Sequence, residues 1–334
     1  MQDKKDNIQN KKDVTIVIPT KNAGKILDRV LNSVFSQETN YTYEVICVDS
    51  GSSDGTLETI RKYPVKLYQI KPEEFGHGRT RNFGASKGTG EYIVFITQDA
   101  LPASNSWLQN FIDAMKLDDE IVAGFGIHYP YPDCNIIDKR DLEAHFKGFG
   151  TENTIYQLTD RQRYENDPGY RHFLSFFSDN NSCIKRSIFE KYPYDDVDFA
   201  EDQIWARRMI ELGYKKVYCP YAPVYHSHNY NINSYFGRYY DEHKGLYQIQ
   251  QYINLAHAYM IIPSIIRHVK SDKQYFQTCG MNKEEEKAAV RYSIGRNYAR
   301  YFAGYLGGHY HNYPHWIQAL LDRTISQQYK QRKK

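Results

Sequence analysis

The chain has 334 residues, 25% of them charged and 41% hydrophobic, with a net charge of only +3. That length buries a sizeable core, in one large domain with an appendage or in two domains. The balanced charge argues against a protein that holds polyanions by overall charge, and no nucleic-acid partner is expected.

Tyr is heavily used, at 31 residues, many of them beyond residue 150. Its amphipathic ring suits sugar, interface or membrane-edge contacts, and it suits core packing as well. The five cysteines, Cys47, Cys134, Cys183, Cys219 and Cys279, are scattered and form no C-x-x-C pair, which points to a reduced compartment. The start, MQDKKDNIQNKKD, is polar and has no apolar h-region, so no signal peptide is expected and residues 1–13 read as a disordered leader. No apolar run is long enough to span a bilayer. The expectation is a cytoplasmic protein that meets a membrane, if at all, at its surface.

In chain order, VTIVIPT reads as a buried strand. In the following segment Ile26, Leu27, Val30, Leu31, Val34 and Phe35 form one helical stripe. YEVICVDSGSSDGTLETIRKY repeats the theme of apolar strand, Gly/Ser/Asp loop and helix. Next come VKLYQI as a strand, RTRNFGASKG as a short helix, EYIVFITQD as a strand and SWLQNFIDAMK as a helix. Such alternation with short links predicts a parallel sheet covered on both faces. Ligands of such sheets sit beyond the carboxyl ends of the strands, so the loops after Ile18, Val48, Ile70 and Ile96 are expected to line one site.

Residues 128–172 lose periodicity and gain Pro, Asp and Tyr. They read as a long insertion, either a mobile flap or part of a substrate site. Order returns with NSCIKRSIFEKY, and AEDQIWARRMIELGYKKVYCP reads as a helix with an acidic start, a Gly at its end and a strand beyond. Residues 231–334 carry only helical patterns and end on the basic run YKQRKK. They read as a separate helical region.

Five groups of residues carry candidate chemistry. Asp49, in VDSGSSDGT, ends a strand where it can accept hydrogen bonds from a base or ribose, although such a loop also caps a helix without any ligand. Asp99, in TQDALP, ends the strongest strand, well placed for a divalent cation bridging two phosphates or for a simple turn. Glu201 and Asp202 open a helix, where acids complement the macrodipole or where one of them serves as a general base. His226 and His228, two apart, share a face of an extended segment and could join Asp99 in an O/N metal site or bind phosphate. The loop FGHGRTRN then offers His77, Arg79 and Arg81 as a diphosphate clamp. Cations at a helix start run against the macrodipole, so they need compensation from somewhere.

Taken in order, TIVIPTKN, EVICVDSGSSDGT, FGHGRTRNFGA, FITQDALP and AEDQIWARR, with YHSH closing the set, resemble a family 2 glycosyltransferase of the GT-A fold. The resemblance covers residues 14–230, and FGHGRTRN, VDSGS and TQDA are similar to the bacterial rhamnosyltransferase subgroup. It implies an α/β protein whose sheet is mostly parallel with helices on both faces, followed by the helical region. It further implies inverting transfer from a nucleotide-sugar donor to a lipid-linked or protein-linked glycan acceptor. By that resemblance Pro19, Thr20, Lys21, Thr97 and Gln98 lie at the donor, Asp49 at its base, and Asp202 is the catalytic base. Glu201 and Trp205 either contact the acceptor or support the base from behind. Asp99, His226 and His228 hold a divalent cation, Mn2+ or Mg2+. Thr97 stands where the first acid of the family's acidic motif usually sits, so the loop of His77, Arg79 and Arg81 could carry part of the diphosphate charge. dTDP-L-rhamnose is the favoured donor, with UDP-hexoses second. The Tyr-rich helical region would dock at the inner membrane face or form a homo-oligomer. A non-catalytic glycan-binding protein is the rival class.

Overall fold

The computed structural model describes residues 11–197 and 199–332. Residues 1–10 of the expected leader, and Lys333 and Lys334 of the basic end, lie outside the described residues. Backbone pairing begins earlier than expected: Asp13 N donates to Thr42 O at 2.9 Å, and Tyr92 N donates to Asp13 O at 3.0 Å.

Strands β1 (Val14–Thr20), β2 (Tyr43–Asp49), β3 (Lys66–Gln69) and β4 (Tyr92–Ile96) pair in parallel, in the order β3-β2-β1-β4. Helices α1 (Ile26–Phe35), α2 (Thr56–Ile60) and α3 (His77–Ser86) link them. The apolar runs of β1, β2 and β4 are continuous because both faces are covered. Val14, Ile16 and Ile18 belong to one core cluster and Val17 to the other, and Val94 and Ile96 likewise part from Ile93 and Phe95. Helix α4 (Trp107–Met115) buries Trp107, Leu108, Phe111 and Ile112 in the first cluster.

Beyond β4 the sheet departs from the parallel pattern. It continues through β5 (Leu101–Pro102), β6 (Ile121–Tyr129), β7 (Thr154–Tyr156), β8 (Asn181–Lys185) and β9 (Lys215–Tyr225). Strand β8 runs antiparallel to both β4 and β6, while β9 is parallel to β6 and antiparallel to β5 and β7. No strand–helix–strand crossover joins β4 to β8, so nothing forces them parallel. The sheet is mixed. Strand β6 is absent from the sequence reading because Gly124 and Gly126 interrupt its pattern. At Gly126 the neighbouring chain comes so near that a Cβ would lie 2.1 Å from Asn181 Nδ2.

The segment read as a long insertion, either a mobile flap or part of a substrate site, is largely regular. It holds α5 (Ile136–Lys147), β7, α6 (Arg161–Asn166) and α7 (Pro168–Ser175). Its apolar anchors are aromatic and irregularly spaced: Phe146 and Phe149 are buried against Phe125 and Tyr218, with Phe173 and Phe176 packed on them. That spacing hid the helices. Helices α8 (Arg186–Lys191) and α9 (Glu201–Glu211) complete this face.

The described residues divide into two compact units: one up to residue 133 with 141–164 and 173–227, the other 134–140, 165–172 and 228 onward. The second unit is helical, with α10 (Ile232–Gln250), α11 (Ile261–Thr278), α12 (Lys283–Gly308), α13 (His315–Thr324) and α14 (Gln327–Arg332). Asn282 caps α12, accepting from Glu284 N and Glu285 N at 3.0 Å each while Glu285 reaches back to Asn282 N at 2.9 Å. Helices α10 and α12 cross so closely that a Cβ at Gly307 would sit 2.2 Å from Tyr240 O. Buried polar ties hold this unit: Arg296 Nε to Asp138 at 2.8 Å, and Arg140 Nη2 to Asp272 at 2.7 Å, with Ser293 Oγ donating to Asp272 at 2.6 Å. Among the described residues no helix is long and apolar enough to cross a membrane.

Candidate active site at the carboxyl ends of the central strands

Thr20 and Asp49 end β1 and β2 side by side, and Asp49 pairs in turn with Gln69. Asp49 is fully buried. Its carboxylate accepts from Gly51 N at 3.0 Å, Ser52 N at 2.9 Å, Ser52 Oγ at 2.5 Å and Thr20 Oγ1 at 3.2 Å. Two oxygens offer about four acceptor positions. Asp49 therefore orders its own loop here rather than presenting an oxygen to a base. The loop is laced to the end of β1: Asn22 N donates to Ser52 Oγ, Ser53 N to Asn22 Oδ1, each at 2.8 Å, and Gly24 N to Asp54 Oδ2 at 2.9 Å.

At the end of β4, Gln98 clasps the backbone of Lys21, accepting from its N at 2.8 Å and donating to its O at 3.2 Å. Gln98 thus joins the segment carrying Pro19, Thr20 and Lys21 to the one carrying Asp99. Thr97 Oγ1 is shut away from water without a hydrogen-bond partner.

Asp99 Oδ1 lies 3.7 Å from His226 Nε2. Together with His228, two residues along the same segment, they offer one carboxylate oxygen and two imidazole nitrogens, all within 4.8 Å of one another. Strand β5 pairs with the end of β9, Leu101 opposite Tyr225, and this brings His226 beside Asp99. One oxygen and two nitrogens suit a divalent transition metal better than Mg2+.

A second cluster surrounds Arg81. Its side chain is 6% exposed, with Nε 3.1 Å from Asp179 Oδ2 and Nη1 2.7 Å from Glu201 Oε1. This corrects the expectation that Arg81 clamps a diphosphate: the compensation that a cationic helix start requires comes from two buried acids. Arg79 remains exposed, 3.4 Å from Asp196, and His77 packs edge-on against Phe75. Asp179 also accepts from Tyr194 OH and Ser182 Oγ, both at 2.7 Å.

Asp202 accepts from Asp179 N at 3.1 Å and from Gln203 N at 2.8 Å. Ala200, just ahead of α9, adopts a left-handed φ of 57°, a conformation that costs an L-residue about 1–2 kcal/mol. Three carboxylates share one guanidinium. Burial opposes ionisation of Arg81, but Asp179 and Glu201 outweigh it and hold the guanidinium charged. The deficit falls on the acids: burial pushes Glu201 up to about 6 despite Arg81. Burial, then the charges of Glu201 and Asp179, push Asp202 well above the usual carboxylate range.

Trp205 belongs elsewhere. It is 2% exposed, packed with Phe177, Phe189 and Tyr194, and its Nε1 donates to Tyr192 O at 2.5 Å. Neither acceptor contact nor support of the base fits that place, since Trp205 and Met209 form the core stripe of α9.

The residues that sequence reasoning missed are Asp179 and Asn180. Asp179 joins the Arg81 cluster, while Asn180 Nδ2 lies 3.4 Å from His226 Nδ1. Two consecutive residues thus touch both clusters. They precede β8, which in a parallel sheet would put them at the opposite edge. The antiparallel register, Asn181 against Ile96, brings them to the carboxyl end of β4.

Comparison with known proteins agrees with this arrangement. The family model described as "Glycosyl transferase family 2" matches residues 15–192. The O-antigen chain rhamnosyltransferase WbaN of Salmonella anatum is 34% identical over 233 residues, 68% of this chain and 70% of that one. The O-antigen chain rhamnosyltransferase RfbN of Salmonella typhimurium is 32% identical over 235 residues, again 68% and 70%. Among solved structures, the mannosyltransferase PcManGT from Pyrobaculum calidifontis, in complex with GDP-Man and Mn2+, superposes with a TM-score of 0.53 at 17% identity, covering 96% of this chain and 78% of that one. S. aureus TarS 1-349 in complex with UDP-GlcNAc gives 0.52 at 15% identity, covering 86% and 89%. At these identities the likeness carries the fold, which is GT-A. The strand-end loops, the acid-and-histidine group and the matched family sequence converge, and the chain belongs to glycosyl transferase family 2 as a GT-A glycosyltransferase.

Proposed function

We propose that this glycosyltransferase moves L-rhamnose from dTDP-L-rhamnose to a hydroxyl of a growing, lipid-linked cell-surface glycan at the cytoplasmic membrane face, with inversion. The observation that carries the chemistry is Asp202, a buried carboxylate bonded to Asp179 N and held well above the usual carboxylate range by burial and by the charges of Glu201 and Asp179. A base is most effective when its pKa lies near the working pH. The donor assignment draws its support from the two relatives named as O-antigen chain rhamnosyltransferases.

In this reading Asp202 removes the proton of the acceptor hydroxyl. The acceptor oxygen attacks the anomeric carbon from the face opposite the diphosphate, the bond from that carbon to the diphosphate oxygen breaks, and dTDP leaves. Arg81 holds Glu201 and Asp179 in place and opposes the burial that raises both, while Asp202 is raised by burial and in turn by the charges of those two acids. Pro19, Thr20 and Lys21, fastened by Gln98, form the donor wall, and Asp49 shapes the loop beside it. His77 and Arg79 face the diphosphate. Asp99, His226 and His228 would hold a divalent cation, whose charge, when bound, offsets that developing on the diphosphate.

Slow hydrolysis of dTDP-rhamnose, UDP-glucose, UDP-galactose and UDP-N-acetylglucosamine, each with manganese, magnesium or chelator, tests the assignment. Turnover of dTDP-rhamnose alone, stopped by chelator, is expected. Turnover of a UDP-hexose in its place overturns the donor, and turnover indifferent to chelator moves the diphosphate charge onto His77 and Arg79.

A further inference from the structure

Helix α11 combines two features that its neighbours keep apart. Ile262, Ile266, Lys270 and Lys273 recur at i, i+4, i+8 and i+11, so they share one stripe, and all four are exposed. Ile262 is 57% and Ile266 63% exposed, and Tyr259, just ahead of the helix, is 76% exposed. Arg267 stands exposed beside the stripe. The opposite face packs inward through Ile261, Ser264, Asp272 and Phe276. Between residues 252 and 282 the one acid is Asp272, which is buried and bonded to Arg140. The outward face is therefore apolar at one end, cationic at the other, and free of negative charge. The comparable stripe on α12, Lys287, Arg291, Ile294 and Tyr298, begins beside exposed Glu284, which pairs with Lys287 at 2.8 Å.

Two exposed Ile and a Tyr ring in line with cations match a surface that presents acyl chains beneath anionic head groups. We propose that this stripe of α11 docks the protein on an anionic phospholipid bilayer. The inference rests on the reading of a lipid-linked acceptor for its purpose, and it places the docking on α11 rather than on the basic C-terminal run. Its charge complementarity argues for lipid over a second copy of the chain, which would set like charges against each other.

Co-sedimentation of the full chain with vesicles, without donor or acceptor present, tests it independently of catalysis. Binding to vesicles of phosphatidylcholine with phosphatidylglycerol, absent on phosphatidylcholine alone and released by salt, is expected. An Ile262→Glu, Ile266→Glu double variant is expected to lose at least about tenfold in partitioning, with donor hydrolysis unchanged. A Lys270→Glu, Lys273→Glu variant, at exposed positions, should lose a similar factor and serves if the first fails to fold. Equal binding to both vesicle types, or variants that bind like the parent, overturns the proposal. So does a parent dimer in light scattering that Ile266→Glu dissociates while vesicle binding persists.

Discussion

The two clusters at the head of the sheet are one residue apart in the chain, at Asp179 and Asn180, yet they differ in kind. The group of Asp99, His226 and His228 gathers one carboxylate with two imidazoles, and Asp99 keeps part of its surface in water, 29% of its side chain. The group around Arg81 is closed: Arg81, Asp179 and Glu201 are each 7% exposed or less. In the first, one oxygen and two nitrogens lie close enough together to share a cation. In the second, the protein's own charges face each other, and burial raises the proton affinity of the acids together. On the proposed function, the difference separates holding a charged donor from tuning a base.

The largest effect should come from the closed cluster. Asp202→Asn keeps the shape but removes the proton acceptor, and kcat is expected to fall about 10²–10⁴-fold. Donor affinity, measured by titration with dTDP, should stay unchanged. In the parent, kcat should fall with decreasing pH through an apparent pKa above the ordinary carboxylate range, because protonation of the raised Asp202 removes the base. That apparent value belongs to the cluster of Asp202, Glu201 and Asp179 rather than to one residue. A variant with near-parental kcat, or an unshifted acid limb, would erase the distinction between the two clusters.

Asp99→Asn probes the open cluster and should act on binding more than on the proton. Manganese affinity, read by electron paramagnetic resonance without donor, is expected to drop at least about tenfold, the loss usual for even an outer partner of a metal ligand. The acid limb of the rate profile at saturating metal should stay where it was. If Asp99→Asn shifts that limb as well, the two clusters are electrostatically one.

How much of this was legible followed the chain's own regularity. Strands β1, β2 and β4 announced themselves because both faces are buried, so their apolar runs are nearly unbroken and end at Thr20, Asp49 and Ile96. Asp99, Asp202 and the His pair stood out as candidates for the same reason: each sits just past or ahead of a strong periodic element. What stayed hidden depends on direction. The sequence of β8 carries no mark that it runs antiparallel to β4, so Asp179 and Asn180 could not be placed at the site. Arg81 looked like a ligand for anions because its partners, Asp179 and Glu201, lie about a hundred or more residues away in the chain. The aromatic packing of 141–176 has no helical or strand period to read, since Phe146, Phe149, Phe173 and Phe176 fill one pocket of the sheet face from different elements.

The smallest effect concerns a buried cation that lacks what Arg81 has. Lys216, on β9, is 3% exposed, lies 5.2 Å from the centre of the Phe125 ring and donates to Phe176 O. Burial alone pushes its ammonium down from 10.5 to about 7. The folded state therefore releases this proton more readily than the unfolded chain. Between about 7 and 10.5 the unfolded chain binds the extra proton, so stability rises with pH across that window and the full penalty stands below it. Lys216→Met removes the charge at similar volume and is expected to raise the unfolding free energy at pH 6 by on the order of 1–3 kcal/mol. The gain should shrink toward pH 10, as followed by urea unfolding at the two values. A variant that is less stable than the parent at pH 6 would mean that the ammonium, like the guanidinium of Arg81, is held charged by its surroundings.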